Sequence, residues 1–510
     1  MTRLRLAGVA ILAAALLTPS APAAAAVSPQ LQLVKDTWRS FTAMTVPSTG
    51  MPADNIGGAL DPATRARYTS PTNIGSYLWS AVVAEDLGVI SRKELVSRTR
   101  TTLSSVERLQ RQAGSGQFYN WYDPATLELL HTWPEDGSTV YPFASSVDNA
   151  WLAAALMVLR NAVPEVRAQA QRLLAPMDFA FYYDPAARGP EVPAGLMRGG
   201  FWDTPPPDPQ CSLPGNYTGN GPTVYYTCHT YGSFASETRM ITYVGISLGQ
   251  VPPAHYFAPW RTFPDNCDWG WQEQKPTGQF VDYLGVPVFE GNYTYQGLKF
   301  VPTWGGDMFE ELMPDMFVPE VDWGRNSWAR QHSVYVRGQI AHGLNDARYG
   351  YWGFSPSSNP DGGYREYGVD LMGLDTSVGY TSDQERTMVD VGFEGCREAQ
   401  PLPTSYGDGV VTPHAVVLAL PYQPKAATTE LAKLRRDFDS YGPGGYYDAI
   451  AVRSGKVAKR YLALDQGMIM GALGNLLADD VLRDAFVRGG ATEHLRPVMA
   501  MEEFNLPRRQ

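Results

Sequence analysis

Helical periodicity returns repeatedly along this chain, and between its returns lie long segments rich in Gly, Pro and Trp. Over residues 73–112, Ile74, Tyr77, Leu78, Ala81, Val82 and Leu87 fall at three-to-four spacing, which predicts a helix. Ser91, ahead of Lys93-Glu94-Leu95, reads as the N-cap of a second helix. Residues 146–174 repeat that plan, with a break at Pro164. The same period recurs over 234–248, 307–318, 326–344, 411–420, 425–438 and 461–485, while strand-like alternation is rare and short. The expected fold class is therefore all-α. Long loops connect the helices at 112–145, 200–232, 251–305, 349–368 and 438–460.

A chain of 510 residues carries a prior of about three domains. No linker composition or run of like charge divides it, however, so one domain over 27–510 is expected. Aromatic residues make up 12 % of the chain, which excludes a disordered polymer. A net charge of −11 repels phosphate backbones and excludes a nucleic-acid partner. The seven His and four Cys show neither HExxH nor paired CxxC spacing, so no metal ligand set and no cofactor is expected. A calcium site built from loop oxygens would leave no such spacing.

Residues 1–26 read as a secretory signal. Arg3 and Arg5 form a charged start, Leu6 to Leu17 an apolar stretch too short to span a bilayer, and Ala24 and Ala26 a cleavage pair. Removing the segment leaves the chain still more acidic, and no later run is apolar enough to span a membrane. Secretion makes disulfides possible. Cys211 and Cys228, flanking a Gly/Pro/Asn/Thr loop, are the expected pair, which leaves Cys267 and Cys396 to each other.

Long loops in a compact domain are usually functional. Here they hold most of the Trp and many carboxylates, which suits a cleft for a neutral polar ligand such as a sugar. Gly245-Ile246-Ser247-Leu248-Gly249 spells the nucleophile elbow of an esterase, but the stretch before it has helical rather than strand period. A lyase acting on acidic polysaccharide would need basic groups that the net charge disfavours. A non-catalytic sugar-binding protein would not need acids in so many loops.

Several segments are more specific: Asn120-Trp121-Tyr122-Asp123, Ser145-Ser146-Val147-Asp148-Asn149-Ala150-Trp151, Ser236-Glu237-Thr238-Arg239 and His255-Tyr256-Phe257-Ala258-Pro259-Trp260-Arg261. They are followed by Trp304-Gly305-Gly306-Asp307-Met308-Phe309-Glu310, Gly445-Tyr446-Tyr447-Asp448-Ala449-Ile450 and Leu464-Asp465-Gln466-Gly467. In this order, across roughly 70–485, the chain resembles the glycoamylase-like family of endo-β-1,2-glucanases and of the glycoamylase-like part of cyclic β-1,2-glucan synthases. The resemblance implies an (α/α)6 toroid with a central cleft and hydrolysis of a β-linked glucan by carboxylates. The implied partner is an oligo- or polysaccharide, and the chain is expected to act as a monomer.

Glycoside hydrolysis needs one carboxylic acid to protonate the leaving oxygen and a second carboxylate to activate water or attack the sugar. The resemblance gives Glu237 the acid role, with Asp448 and Asp465 competing for the base and Asp148 behind them. It implies substrate contacts for Asp123, Trp121, Arg239, His255, Arg261, Trp304, Glu310 and Gln466. Arg239 lies two residues from Glu237, so on one helix the two do not face each other, and Arg239 is expected to anchor another carboxylate or the loop. His255 and His414 suit structural hydrogen bonds or subsite contacts. Where the synthase branch reads W-G-I-S-E-S, this chain has Trp352-Gly353-Phe354-Ser355-Pro356-Ser357, without the glutamate. No cation is expected to be needed for hydrolysis.

Overall fold

The computed structural model describes residues 28–207, 210–263, 274–374 and 406–507. The signal-like segment, Cys267 and Cys396 lie outside the described residues. The helices are α1 Pro29–Met44, α2 Pro71–Asp86, α3 Arg92–Val106, α4 Ser146–Ala162, α5 Arg167–Leu174, α6 Arg239–Ser247 and α7 Met308–Leu312. They continue with α8 Glu320–Trp323, α9 Trp328–Ala341, α10 Pro413–Leu418, α11 Pro424–Asp437, α12 Ala463–Leu477 and α13 Val481–Val487. Ser91 caps α3 as expected, accepting from the Glu94 N–H, and the chain breaks at Pro164 between α4 and α5. Helix α1, capped by Ser28 with Pro29 at its first position, falls in a stretch where the sequence reading named no element.

Two kinds of helix are distinguished by burial. Helix α2 is buried along nearly its whole length, as are α4 and α12, which is what a helix apolar on all sides requires. Helices α3, α5 and α11 bury one stripe and expose the rest. The buried helices are neighbours: α2 packs on α4, α4 on α6, α7 on α10, α10 on α12, and α12 back on α2. Between α6 and α7, Arg239 donates to the carbonyls of Glu310 and Glu311 at 2.6 Å each. The striped helices lie outside them, α3 on α2, α5 on α4 and α11 on α10, with the longer α9 on α7. Helix α1 packs on α12, so the two ends of the chain are joined in one core.

The long loops are not structureless. They fold into small antiparallel sheets, a correction to the reading of strands as rare. A four-stranded sheet runs in the order Phe143–Ser145, Gly200–Trp202, Val224–Thr227, Ser212–Gly215. A hairpin pairs Thr277–Tyr283 with Val286–Tyr295. Backbone groups in loops that lie against a core must find partners, and short ladders supply them. Cys211 and Cys228 form the expected disulfide at the open end of the Ser212–Gly215/Val224–Thr227 pair, with Cα atoms 5.5 Å apart. A loop of that length contributes about 3 kcal/mol through the unfolded state. Among the described residues no helix is long and apolar enough to cross a membrane.

Candidate active site

The first turns of α2, α4, α7 and α12, together with the segment entering α6, converge on one cleft. It has two cavities. One, of about 430 Å³, is lined by Asp54, Tyr68, Trp121, Trp133, Asp148, Tyr364 and Asp465 among others. The other, of about 410 Å³, is lined by His229, Tyr231, Trp304, Asp307 and Glu310 among others. Glu237, Phe309, Pro356 and Glu366 line both, so Glu237 stands at the junction.

Helix caps place these acids. Ser145 caps α4 by accepting from the Asp148 N–H at 3.3 Å, which sets Asp148 in the first turn. Asp307 caps α7 by accepting from the Glu310 N–H at 2.9 Å. Before it, Gly306 has φ +74, and a Cβ there would lie 2.2 Å from the Val369 carbonyl oxygen. Only glycine permits that turn, which carries Trp304 and Asp307 into the cleft.

Glu237 is held by the Trp151 indole, whose Nε1 donates to Oε2 at 2.9 Å. Burial pushes its carboxyl up to about 8, the nearby charges of Asp148 and Glu310 add to the rise, and the Trp151 hydrogen bond and Arg239 oppose it. At neutral pH Glu237 therefore carries its proton. Glu310 is pushed up to about 7 by burial, offset by hydrogen bonds from Gly305 N at 2.7 Å and Ser236 Oγ at 3.2 Å. Burial and the Glu310 charge hold Asp307 well above the carboxylate range. Asp148 has both oxygens engaged, by Thr72 Oγ1 at 2.6 Å and Asn120 Nδ2 at 3.0 Å.

Asp465 faces the cavity that Glu237 also lines. Burial, then the charge of Asp448, raises its carboxyl well above the usual range. Asp448 sits behind it, 2 % exposed, its Oδ2 accepting from the Ser358 N–H at 2.7 Å. His414, in the first turn of α10, brings its Nδ1 to 3.6 Å from Asp465 Oδ2. The sequence spacing of these three gave no sign of a cluster.

Aromatic side chains wall the cleft. Tyr68, Trp121 and Trp133 form a mutual cluster with ring centroids 4.4–5.8 Å apart. Trp121 lines the first cavity, and Trp304 and Glu310 line the second.

Five residues implied as substrate contacts do not line either cavity, and their side chains bond elsewhere. Arg239 is buried in a two-point ion pair with Glu320 at 2.7 and 2.9 Å. Arg261 is fully buried, paired with Glu502 and set over the Phe234 ring at 3.8 Å. His255 is bonded through Nδ1 to the Gly195 carbonyl at 2.8 Å and through Nε2 to Thr242 Oγ1 at 3.0 Å. Gln466 donates to the Tyr446 carbonyl at 3.4 Å and accepts from Ser40 at 3.5 Å, buried beneath the cleft floor. Asp123 caps a turn, accepting from Ala125 and Thr126 N–H at 2.8 and 3.1 Å. Each was placed in the site by its segment, but its side chain points to a local or distant partner that the segment does not show. Ser247, the would-be esterase nucleophile, is buried inside α6 and not on a strand-to-helix elbow.

Cleft residues to which neither spacing nor the resemblance points include Asp54, Tyr68, Trp133, Tyr364 and Glu366 in the first cavity and His229 and Tyr231 in the second. Asp307, which caps α7 and lines the second cavity, has no role implied by the resemblance. Where the synthase-branch glutamate would fall, Pro356 lines the cleft.

A family model described as "Putative glucoamylase" (glycoamylase) matches residues 233–489, and a second model, for a family of unknown function, matches residues 32–181. A cyclic β-(1,2)-glucan synthase of Rhizobium meliloti is 23 % identical over 620 aligned positions, covering 94 % of this chain and 18 % of that protein. The chain thus spans less than a fifth of the length of that curated relative. An endo-β-1,2-glucanase from Chitinophaga pinensis has a similar fold, with TM-score 0.61, 15 % identity and 93 % of this chain and 98 % of the other covered. A β-1,2-glucanase from Parabacteroides distasonis aligns with TM-score 0.63 and 14 % identity, over 93 % of this chain and 60 % of the other. An endo-β-1,2-glucanase from Talaromyces funiculosus, in complex with β-1,2-glucan, aligns with TM-score 0.60 and 12 % identity, over 93 % and 91 %.

Proposed function

We propose, from the premise that this chain belongs to the glycoamylase family whose model covers half of it, that it is a secreted hydrolase cleaving β-linked glucan within the chain, β-1,2-glucan first. The observation that carries this reading is Glu237, protonated at neutral pH at the junction of two cavities, with Asp465 facing one of them. Sugar units in the two cavities would set a glycosidic oxygen between them, which suits internal cleavage. Glu237 gives its proton to that oxygen as the bond to the anomeric carbon breaks. Asp465 and Asp448 repel, so that the pair holds one proton between them, and its remaining negative charge accepts the proton of the attacking water through Asp465, which lines the cavity, with Asp448 behind it. Asp148, Glu310 and the aromatic walls hold hydroxyls and ring faces.

The relatives named as β-1,2-glucanases support the substrate. Pro356 in place of the synthase-branch glutamate supports hydrolysis over transfer. The (α/α)6 toroid is supported by the neighbour order α2, α4, α6, α7, α10, α12 and back to α2, in which the Arg239 hydrogen bonds make the α6–α7 link, and a single domain over 27–510 by the packing of α1 on α12.

The mature protein incubated with a panel of glucans and galactans should release short oligosaccharides from β-1,2-glucan, read by product chromatography. Cleavage of another glycan alone would overturn the substrate, and no cleavage of any would overturn the activity.

The pH profile tests the acid. Glu237 works only while protonated, so kcat/KM should fall as pH rises through about 8. Trp151→Phe removes the hydrogen bond that favours the anion. The alkaline limb should then move upward by about one pH unit or more. A limb that stays in place would assign the proton to another group.

A further inference from the structure

Behind the cleft wall, three side chains from three elements bring unpartnered atoms together. One ligand atom from each of His414, Asp448 and Asp465 lies within 4.8 Å of the others, with His414 Nδ1 at 3.6 Å from Asp465 Oδ2. The residues are 1 %, 2 % and 2 % exposed, and none of His414 Nδ1, Asp448 Oδ1 and Asp465 Oδ2 has a hydrogen-bond partner among the described residues. Buried polar atoms left unpaired are costly, so three aimed at one point call for an occupant. A proton shared between the carboxylates would satisfy two of them. It would leave the imidazole nitrogen at 3.6 Å from Asp465 Oδ2, beyond hydrogen-bond reach.

The other atoms of these residues are arranged as an outer shell. His414 Nε2 meets Thr412 Oγ1 at 3.4 Å, and Asp448 Oδ2 accepts the Ser358 N–H at 2.7 Å. Metal-bound imidazoles and carboxylates are oriented by such second partners. A tetrahedral zinc, with N and O ligands at about 2.0–2.2 Å, sets its ligand atoms roughly 3.3–3.6 Å apart. One imidazole nitrogen with two carboxylates suits a borderline cation of the zinc class better than calcium or magnesium, which take oxygen ligands alone. Asp465 lines the cleft cavity, so the cluster stands directly behind it.

We propose that His414, Asp448 and Asp465 form a binding site for a zinc-class divalent cation, and that its occupancy arrests hydrolysis by tying up Asp465. The arrest rests on Asp465 being the base; the binding does not. Once Oδ2 is a ligand, the cation holds the negative charge of the carboxylate, and Asp465 no longer takes up the proton of the attacking water. The enzyme works without the cation and is shut by it.

Zn2+ titrated into the mature, EDTA-treated full chain should bind with one-to-one stoichiometry by calorimetry. X-ray absorption at the zinc edge should show one nitrogen and two carboxylate oxygens from the protein. His414→Gln and Asp448→Asn should each weaken binding by at least about tenfold. Turnover on β-1,2-glucan should fall in step with occupancy and return with EDTA, and whatever turnover His414→Gln retains should no longer respond at the same Zn2+ concentration. Absence of stoichiometric binding to the wild type would overturn the site, as would binding untouched in both variants. The edge spectrum needs no variant, so a misfolded mutant does not protect the proposal. Zinc that binds yet leaves turnover unchanged, or raises it, would overturn the arrest. A wild type that cleaves no glucan would count against the hydrolase reading alone, since calorimetry and the edge spectrum still report on the cation.

Discussion

Glu237→Gln should lower turnover on the cleaved glucan by roughly 10²–10⁴-fold, the usual worth of a positioned general acid, while leaving substrate affinity within a few-fold of wild type. Glutamine keeps the shape and still accepts from the Trp151 indole, but it has no proton to give to the leaving oxygen. Asp465→Asn should cost turnover on the same scale by removing the base. Glu310→Gln tests the other raised carboxyl of the cavity that Glu237 lines. Both oxygens of Glu310 already accept hydrogen bonds, from Ser236 and the Gly305 N–H, so its role is to hold the loop and a hydroxyl. Its substitution should therefore raise KM more than it lowers kcat. Single-turnover kinetics beside binding isotherms separate these outcomes. Near-normal turnover by Glu237→Gln would transfer the acid role elsewhere, first to Glu310, whose carboxyl is also pushed up, to about 7.

The helices were legible in the sequence wherever a local rule wrote them. Ser91 and Ser145 cap what they precede, Pro164 ends what it follows, and the apolar spacing of 461–485 becomes α12 and α13. Helix α1 escaped because only one stripe of it meets the core and it follows directly on an Ala-rich stretch read as a signal. The segment resemblance and the candidate cleft coincide at Glu237, Asp148, Asp465, Glu310, Trp121 and Trp304. It failed where a side chain answers to a partner far along the chain. Arg261 neutralises Glu502, and Gln466 meets Ser40 across the fold, distances that no local pattern encodes. It also missed Tyr364 and Glu366, which a loop carries back over the cleft. Tyr364 is 53 % exposed yet lines the same cavity as Glu237, and its neighbours in sequence give no reason to expect it there.

Arg239→Met should destabilise the protein by about 3–5 kcal/mol, the cost of leaving one member of a buried ion pair without the other. The guanidinium is 3 % exposed and makes a fork to Glu320, with further bonds to the carbonyls of Ser236, Glu310 and Glu311. It lies 4.4 Å over the Trp328 ring, which a planar cation suits and a lysine would not. Glu320 is held below the usual carboxylate range, at about 2, where Arg239 and His332 overcome the cost of burial. Removing Arg239 strips the larger of those supports. The same residue ties the segment carrying Glu237 to the backbone of Glu310, so activity should fall along with stability. Urea midpoints at unchanged slope measure the first effect, and kcat at a temperature where the variant is folded measures the second. A second substitution separates charge from packing. Glu320→Gln added to Arg239→Met removes the orphaned carboxylate, and the pair should be more stable than the sum of the singles by more than about 1 kcal/mol. A single Arg239→Met costing less than about 1 kcal/mol would mean that Glu320 finds its counter-charge in His332 alone, and that the acid loop is held by its backbone and not by this fork.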